Sequence, residues 1–281
     1  MLRPATDADR ESVLALGVGE EEAWFGQADL STDEVGEWVD DEGGVTAGVV
    51  TVDDGGRVQG FASAGRRGSV FLAEPAHAAA VADELLPWLL EKRATVEVLT
   101  FAGDGERIEA FERHGLRHLR SSFFLVRPQN AGPLPAAAFP AGVEVARYRW
   151  GDDDEAVHRL IYVDAEWASV SGHTERDLAA WLGRDAGRDG AFLARRDEQP
   201  VGWVRSRILV SGRGYVNSLA VAKRERGQGL GRALLLHAFA DLQAAGARGL
   251  ALDVEAANKA ALGLYRSVGL EIEREWRIYA A

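Results

Sequence analysis

The stretch Val216–Ala245 constrains this chain more than any other. Strand-forming residues (Val216, Leu219, Val221) run into a loop with three glycines and four basic side chains, and a long apolar helix starts where the glycines end. A strand, a glycine loop and a helix in that order belong to α/β architecture and make a phosphate cradle. Gly227, Gly229 and Gly231 let backbone N–H groups approach a ligand closely, and the helix start adds partial positive charge. Arg224, Arg226 and Arg232 supply charge-assisted hydrogen bonds to phosphate oxygens.

At 281 residues the chain exceeds the usual length of one domain, so two are expected. A break is visible at 128–142, PQNAGPLPAAAFPAG, which holds four of the eight prolines and reads as a semi-rigid linker. This sets one domain at 1–127 and another at 143–281. The chain has no cysteine, which excludes disulfides and any enzyme-thiol intermediate, and its six histidines lack metal-ligand spacing, so no metal is expected. The N-terminus is too charged for a signal peptide and no apolar run spans a membrane, so a cytoplasmic protein without a membrane partner is expected. The net charge of −12 lies wholly in the first half: residues 1–141 carry 12 basic and 24 acidic groups, residues 142–281 carry 20 of each. Such a surface repels nucleic acid, so the arginines of the loop read as local ligand chemistry.

The same element order appears twice. The first half reads strand Leu2-Arg3, helix Asp7 to Leu16, helix Ser31 to Asp41 with a Ser31/Glu34 capping box, a hairpin over 48–52 and 57–64, then strand 69–73, helix 77–92, strand 95–101, helix 106–114 and strand 120–126. The second half reads strand 143–147, helices 153–163 and 175–182, a hairpin over 191–195 and 201–208, then strand 215–221, helix 230–245, strand 249–254, helix 258–268 and strand 271–279. FERHGL (Phe111–Leu116) aligns with YRSVGL (Tyr265–Leu270), which indicates an internal duplication in a mixed-sheet α/β fold. The copies differ at the cradle: the first has AEPAHAAAVADELL (Ala73–Leu86), without glycine or arginine, where the second has KRERGQGLGRALL.

Spacing separates the known phosphate loops. No GxxxxGK run exists for a P-loop. A dinucleotide fold needs GxGxxG; here Gly227, Gly229 and Gly231 are followed directly by Arg232, although Asp253 lies where a ribose-binding acid would fall. RERGQG (Arg224–Gly229) satisfies [Q/R]xxGx[G/A], and with NSLAV before it and LDVEAANKAALGLYRSVGL after it, Val143–Tyr279 resembles the GNAT superfamily of N-acetyltransferases. The duplicated layout is similar to tandem GNAT proteins of actinobacterial type, with the N-terminal copy degenerate.

That resemblance implies acetyl-CoA as cosubstrate. It implies that Leu219, Ala220 and Val221 pair with the pantetheine arm and that Arg226, Gly227, Gln228, Gly229, Leu230, Gly231 and Arg232 wrap the pyrophosphate. Asn258 is a helix N-cap that on this reading also touches pantetheine. Tyr265, two turns on along the same helix face, is implied to protonate the leaving thiolate. By pattern alone Tyr265 is also an ordinary core aromatic. The implied reaction is direct transfer to a small-molecule or peptide amine in a ternary complex, by a monomer or homodimer. Glu255, Asp253 and Glu166 are the candidate bases, Glu255 being preferred. A CoA-binding regulatory module without turnover is the alternative, and a dinucleotide-dependent oxidoreductase a third reading. Trp167 and His173 fall where such enzymes line the acceptor site, and Trp203, Arg205 and Arg207 share one strand face that suits an anionic acceptor. Phe111, standing where the repeat puts Tyr265, has no proton to give.

Overall fold

The computed structural model describes residues 1–65, 68–161 and 190–281. Glu166, Trp167, His173 and the helix expected at 175–182 lie outside the described residues. Two compact units are present. The first comprises Met1–Phe123, Glu255–Ala257 and Arg274–Ala281; the second comprises Phe124–Val254 and Asn258–Glu273.

In the first unit, β1 (Leu2–Pro4), β2 (Gly48–Val52), β3 (Val58–Ala64) and β4 (Ser69–Ala73) form an antiparallel sheet in that order. Residues of β2 and β3 alternate between two cores. Val50 and Phe61 pack with Val13, Leu16, Val35 and Val39 from α1 (Arg10–Phe25) and α2 (Thr32–Asp41). Val49 and Ala62 pack with Val81, Leu85 and Leu89 from α3 (Ala78–Lys92) and Phe111 from α4 (Gly105–Arg113). Burial on both faces explains why β2 carries valines at successive positions rather than alternating with exposed residues. The expected capping box is present: Ser31 Oγ accepts from Glu34 N at 3.2 Å, and the Glu34 carboxylate accepts from Ser31 N at 2.8 Å. The first helix outruns its expected end at Leu16 and continues to Phe25. Its last turns carry Glu20 and Glu21, which are buried against arginines. Helix α3 runs through Pro87.

Those arginines come from far along the chain. Arg107 of α4, fully buried, meets Glu20 at 2.9 Å and Asp104 at 2.9 Å, while Glu20 also accepts from Ala73 N at 2.7 Å. Burial pushes the Glu20 carboxyl up, opposed by the Arg107 guanidinium. Arg274, near the C-terminus, meets Asp29 at 2.8 Å and lies over the Phe25 ring at 3.8 Å. The end of the chain completes this unit. In β12 (Glu271–Ala280), Trp276–Ala280 pair antiparallel with β5 (Glu97–Phe101).

In the second unit, β7 (Val143–Arg147), β8 (Gly190–Arg196), β9 (Gln199–Ile208), β10 (Gly214–Val221) and β11 (Leu250–Glu255) are consecutive neighbours. All these pairs are antiparallel except β10–β11. The turn between β8 and β9 uses Asp197 and Glu198 at φ of 47° and 61°, the left-handed pair that suits a two-residue hairpin. Helix α6 (Leu230–Ala244) covers one sheet face with Leu234, Leu235, Leu236, Phe239 and Leu242, each side chain contributing about 1.5–3 kcal/mol of burial. On the other face Tyr148, Trp203 and Ala220 pack with Val157 of α5 (Asp154–Arg159). Among the described residues, no helix is long and apolar enough to cross a membrane.

Candidate functional site

An irregularity in β10 makes the site. Its parallel pairing with β11 ends at Val216↔Leu252, so the two strands part and, among the described residues, no ladder pair joins Asn217–Val221 to β11. On the other side β10 stays paired with β9 as far as Val221↔Gly202. One edge of this half-strand thus offers its N–H and C=O groups to an extended ligand. Leu219 and Val221 turn toward α6, where a Cβ added at Gly231 would lie 3.9 and 3.5 Å from their methyl groups. Ala220 is buried on the opposite face.

The loop then turns away from β10 through a 3-10 turn at Lys223–Glu225. Arg226 is exposed and extended, and its Nε donates to Val221 O at 3.2 Å. Gly227 and Gly229 have φ of 76° and 85°, a region that penalises any side chain, and a Cβ at either would meet no atom within 4 Å. The glycines therefore serve conformation and open space, since no protein neighbour crowds them. Gln228 donates to Arg224 O at 3.2 Å. Gly229 is the N-cap of α6 without a side-chain cap, which leaves the first-turn N–H groups of Leu230, Gly231 and Arg232 without intrahelical acceptors. Arg224 is exposed and Arg232 half-buried. Leu230 is buried, anchoring the helix start.

One member of this loop escaped the sequence reading. Glu225, an acid among four basic residues, is buried and accepts from Arg196 Nη2 at 3.1 Å and Nε at 3.3 Å. It ties the loop to β8. Its only sequence signal was a sign opposite to its surroundings.

Asn258 caps α7 (Lys259–Ser267), its Oδ1 accepting from Ala261 N at 3.1 Å. Asp104 caps α4 in the same way, accepting from Arg107 N at 3.1 Å, so the repeat extends to this detail. Tyr265 is buried on α7, and burial pushes its phenol up to about 12. Among the described residues its hydroxyl has no hydrogen-bond partner. Tyr215, by contrast, donates to Asp253 at 2.8 Å and Tyr148 to Asp154. Glu255, at the end of β11, is exposed and lies 3.6 Å from Arg120 of β6 (Arg117–Arg127), within the first unit. Trp203 and Arg205 are fully enclosed, with Arg205 over the Trp150 ring at 5.4 Å; Arg207, on the same face, is half-buried. Among the described residues no group of three or more His, Asp and Glu side chains is arranged to hold a metal ion.

The match to a known family falls on the same elements: residues 154–270 fit the model of the acetyltransferase (GNAT) family. This segment is a GNAT domain. The sequence is similar to the mycothiol acetyltransferase of Thermobispora bispora, 32% identical over 170 residues that cover 55% of each chain. It is also similar to that of Rhodococcus jostii, 30% identical over 200 residues that cover 64% of this chain and 65% of the other. The chain spans about half the length of the first of these relatives. Among solved structures, a GCN5-related N-acetyltransferase from Sphaerobacter thermophilus has a TM-score of 0.74 at 21% identity, covering 100% of this chain and 95% of its own. A tandem GNAT protein from the clavulanic acid biosynthesis pathway has a TM-score of 0.73 at 16% identity, covering 100% and 98%. The fold is thus the mixed α/β fold of the tandem GNAT proteins.

Proposed function

We propose that this chain transfers an acetyl group from acetyl-CoA to a primary amine, with the working site in the second unit. What carries the reading is the coincidence, at one end of β10, of an unpaired strand edge and a loop with two open left-handed glycines at a helix start. Pantetheine is a chain of two amides ending in a pyrophosphate, and these two features answer its two parts. Leu219–Val221 would receive the arm. Arg226–Arg232 would receive the pyrophosphate through the N–H groups of Gly229, Leu230, Gly231 and Arg232 and the guanidinium groups of Arg226 and Arg232. Asn258, already engaged as a cap, would contribute its remaining amide N–H.

The reaction follows from these positions. The amine nitrogen attacks the thioester carbonyl carbon, the carbonyl oxygen gains charge, and a β10 backbone N–H near Leu219 would hold it. The C–S bond then breaks, and a proton leaves nitrogen as one reaches sulfur. Tyr265 supports the second step. With its phenol held up to about 12 it stays protonated at every working pH, so it always presents a donor to the developing thiolate. A lysine-like amine pays about 4–5 kcal/mol to be neutral at pH 7, so water or a carboxylate must take its proton; Glu255 and Asp253 are the candidates among the described residues.

The first unit, taken as residues 1–127 with a linker at 128–142, is proposed to bind no acyl-CoA. It has no glycine loop, Phe111 stands in the place of Tyr265, and the end of β4 already gives its Ala73 N–H to Glu20. The matched relatives are named mycothiol acetyltransferases, so the reaction that name records is the first to test, ahead of other small or peptide amines. A thiol-release assay of the full chain with acetyl-CoA and an amine panel is the deciding experiment. Amine-dependent release supports the reading; tight CoA binding with no release for any amine identifies a regulatory module instead. NADH binding that acetyl-CoA fails to displace points to the dinucleotide reading.

A further inference from the structure

The register of β10 hides one residue that the alternation of the sequence misplaces. Against β9 the pairs run Tyr215↔Arg207 and Val216↔Ser206, then Ser218↔Arg205, Leu219↔Val204 and Ala220↔Trp203. Asn217 has no opposite number. It is the extra residue of a β-bulge, so Asn217 and Ser218 together stand against Arg205. The bulge turns the alternation over: Tyr215, Ser218 and Ala220 share a face with Arg207, Arg205 and Trp203, while Leu219 and Val221 face α6. Ser218 is occupied, its Oγ accepting from Trp203 Nε1 at 3.0 Å. Asn217 is not. Its Oδ1 is buried and, among the described residues, has no hydrogen-bond partner.

Place and chemistry then combine. Asn217 is the first residue of β10 beyond its last pair with β11, so it stands at the fork where the two strands part. It also lies two residues before Leu219, where the thioester carbonyl is placed above. A buried carbonyl oxygen without a donor is costly and uncommon in a folded chain, and one at a strand fork calls for a donor from outside.

We propose that Asn217 Oδ1 accepts an N–H of the acceptor amine and so selects primary amines. This rests on the acetyl-transfer reading. A primary amine has two hydrogens: one is held by Asn217 from attack to product, where it becomes the amide N–H, and the other leaves nitrogen as sulfur is protonated. A secondary amine has a single hydrogen, which must leave, so it satisfies the proton balance with nothing left for Asn217.

The test needs no knowledge of the natural acceptor. Two bisubstrate probes are made from S-carboxymethyl-CoA, one as its ethyl amide and one as its ethyl ester, equal in shape and differing in the N–H. Their affinities and that of CoA are measured calorimetrically for the full chain, Asn217→Ala and Asn217→Asp. The wild type is expected to bind the amide about tenfold more tightly than the ester, the worth of one hydrogen bond to an otherwise orphaned acceptor. Asn217→Ala should equalise the two probes with CoA affinity unchanged, and Asn217→Asp, which keeps the oxygen, should restore the preference. Equal affinities in the wild type, a preference that survives Asn217→Ala, or a loss of CoA affinity in Asn217→Ala would each overturn the assignment. Failure of the wild type to bind CoA at all would instead remove the acetyl-transfer reading beneath it.

Discussion

Gly231 separates what the protein needs from what its ligand needs. Built as alanine, its Cβ would sit 3.5 Å from Val221 Cγ2, 3.6 Å from Leu264 Cδ2 and 3.9 Å from Leu219 Cδ2, ordinary packing distances. It lies in the first turn of α6, outside the positive-φ set that includes Gly227 and Gly229. Gly231→Ala should therefore leave the free protein as stable as before or stabilise it by about 0.5 kcal/mol, through a smaller entropy loss on folding. Binding should move the other way. The added methyl group stands beside the first-turn N–H groups that would hold a pyrophosphate, and losing one or two charge-assisted bonds at about 1.5–3 kcal/mol each raises the Kd roughly 10- to 100-fold or more. At a CoA concentration of about 100 times the wild-type Kd, ligand stabilisation should fall from about 2.7 kcal/mol to about 0.4 kcal/mol for a 100-fold weakening. Urea melts with and without CoA measure both quantities on one sample. A variant that keeps the full CoA-dependent gain, or that is markedly less stable without ligand, refutes the reasoning.

Three further outcomes are expected. Tyr265→Phe should lower kcat by about 100-fold or more with CoA affinity and stability preserved, because the hydroxyl has no partner among the described residues to lose; an unchanged rate would reduce Tyr265 to a core aromatic. His237 lies edge-on to Phe192 at 4.5 Å and Phe139 at 5.8 Å, and burial lowers its pKa, partly opposed by Asp241. The unfolded chain then takes up this proton first, so stability should be lost as pH falls below about 6.5, and His237→Phe should flatten a thermal-melt profile between pH 7.5 and 5.5; an unaltered profile would exclude this group. Arg107→Met leaves Glu20 and Asp104 facing each other without their guanidinium and should cost about 3–5 kcal/mol in denaturant melts, with a loss under about 1 kcal/mol counting against the buried triad.

What the sequence determined by itself is local. The order of the described elements, the glycine loop, the Ser31 and Asn258 caps and the strand-to-helix switch at Leu230 were legible, because capping, turn chemistry and apolar period depend on neighbours a few residues away. Helix α1 runs on past Leu16 because Glu20 and Glu21 in its last turns are core residues, met by Arg107 and Arg274 from distant parts of the chain. Tertiary structure alone decided the rest. The bulge at Asn217 is a fact of register between two strands, and a one-residue slip leaves the composition of β10 unchanged while moving every side chain to the other face. The same holds for the tie of Glu225 to Arg196, for the Tyr265 hydroxyl, without a partner among the described residues, and for the last strand, whose Trp276–Ala280 pair with β5 of the first unit although its sequence reads as the close of the second copy. Each depends on which distant groups come within hydrogen-bond reach, and no local period carries that information.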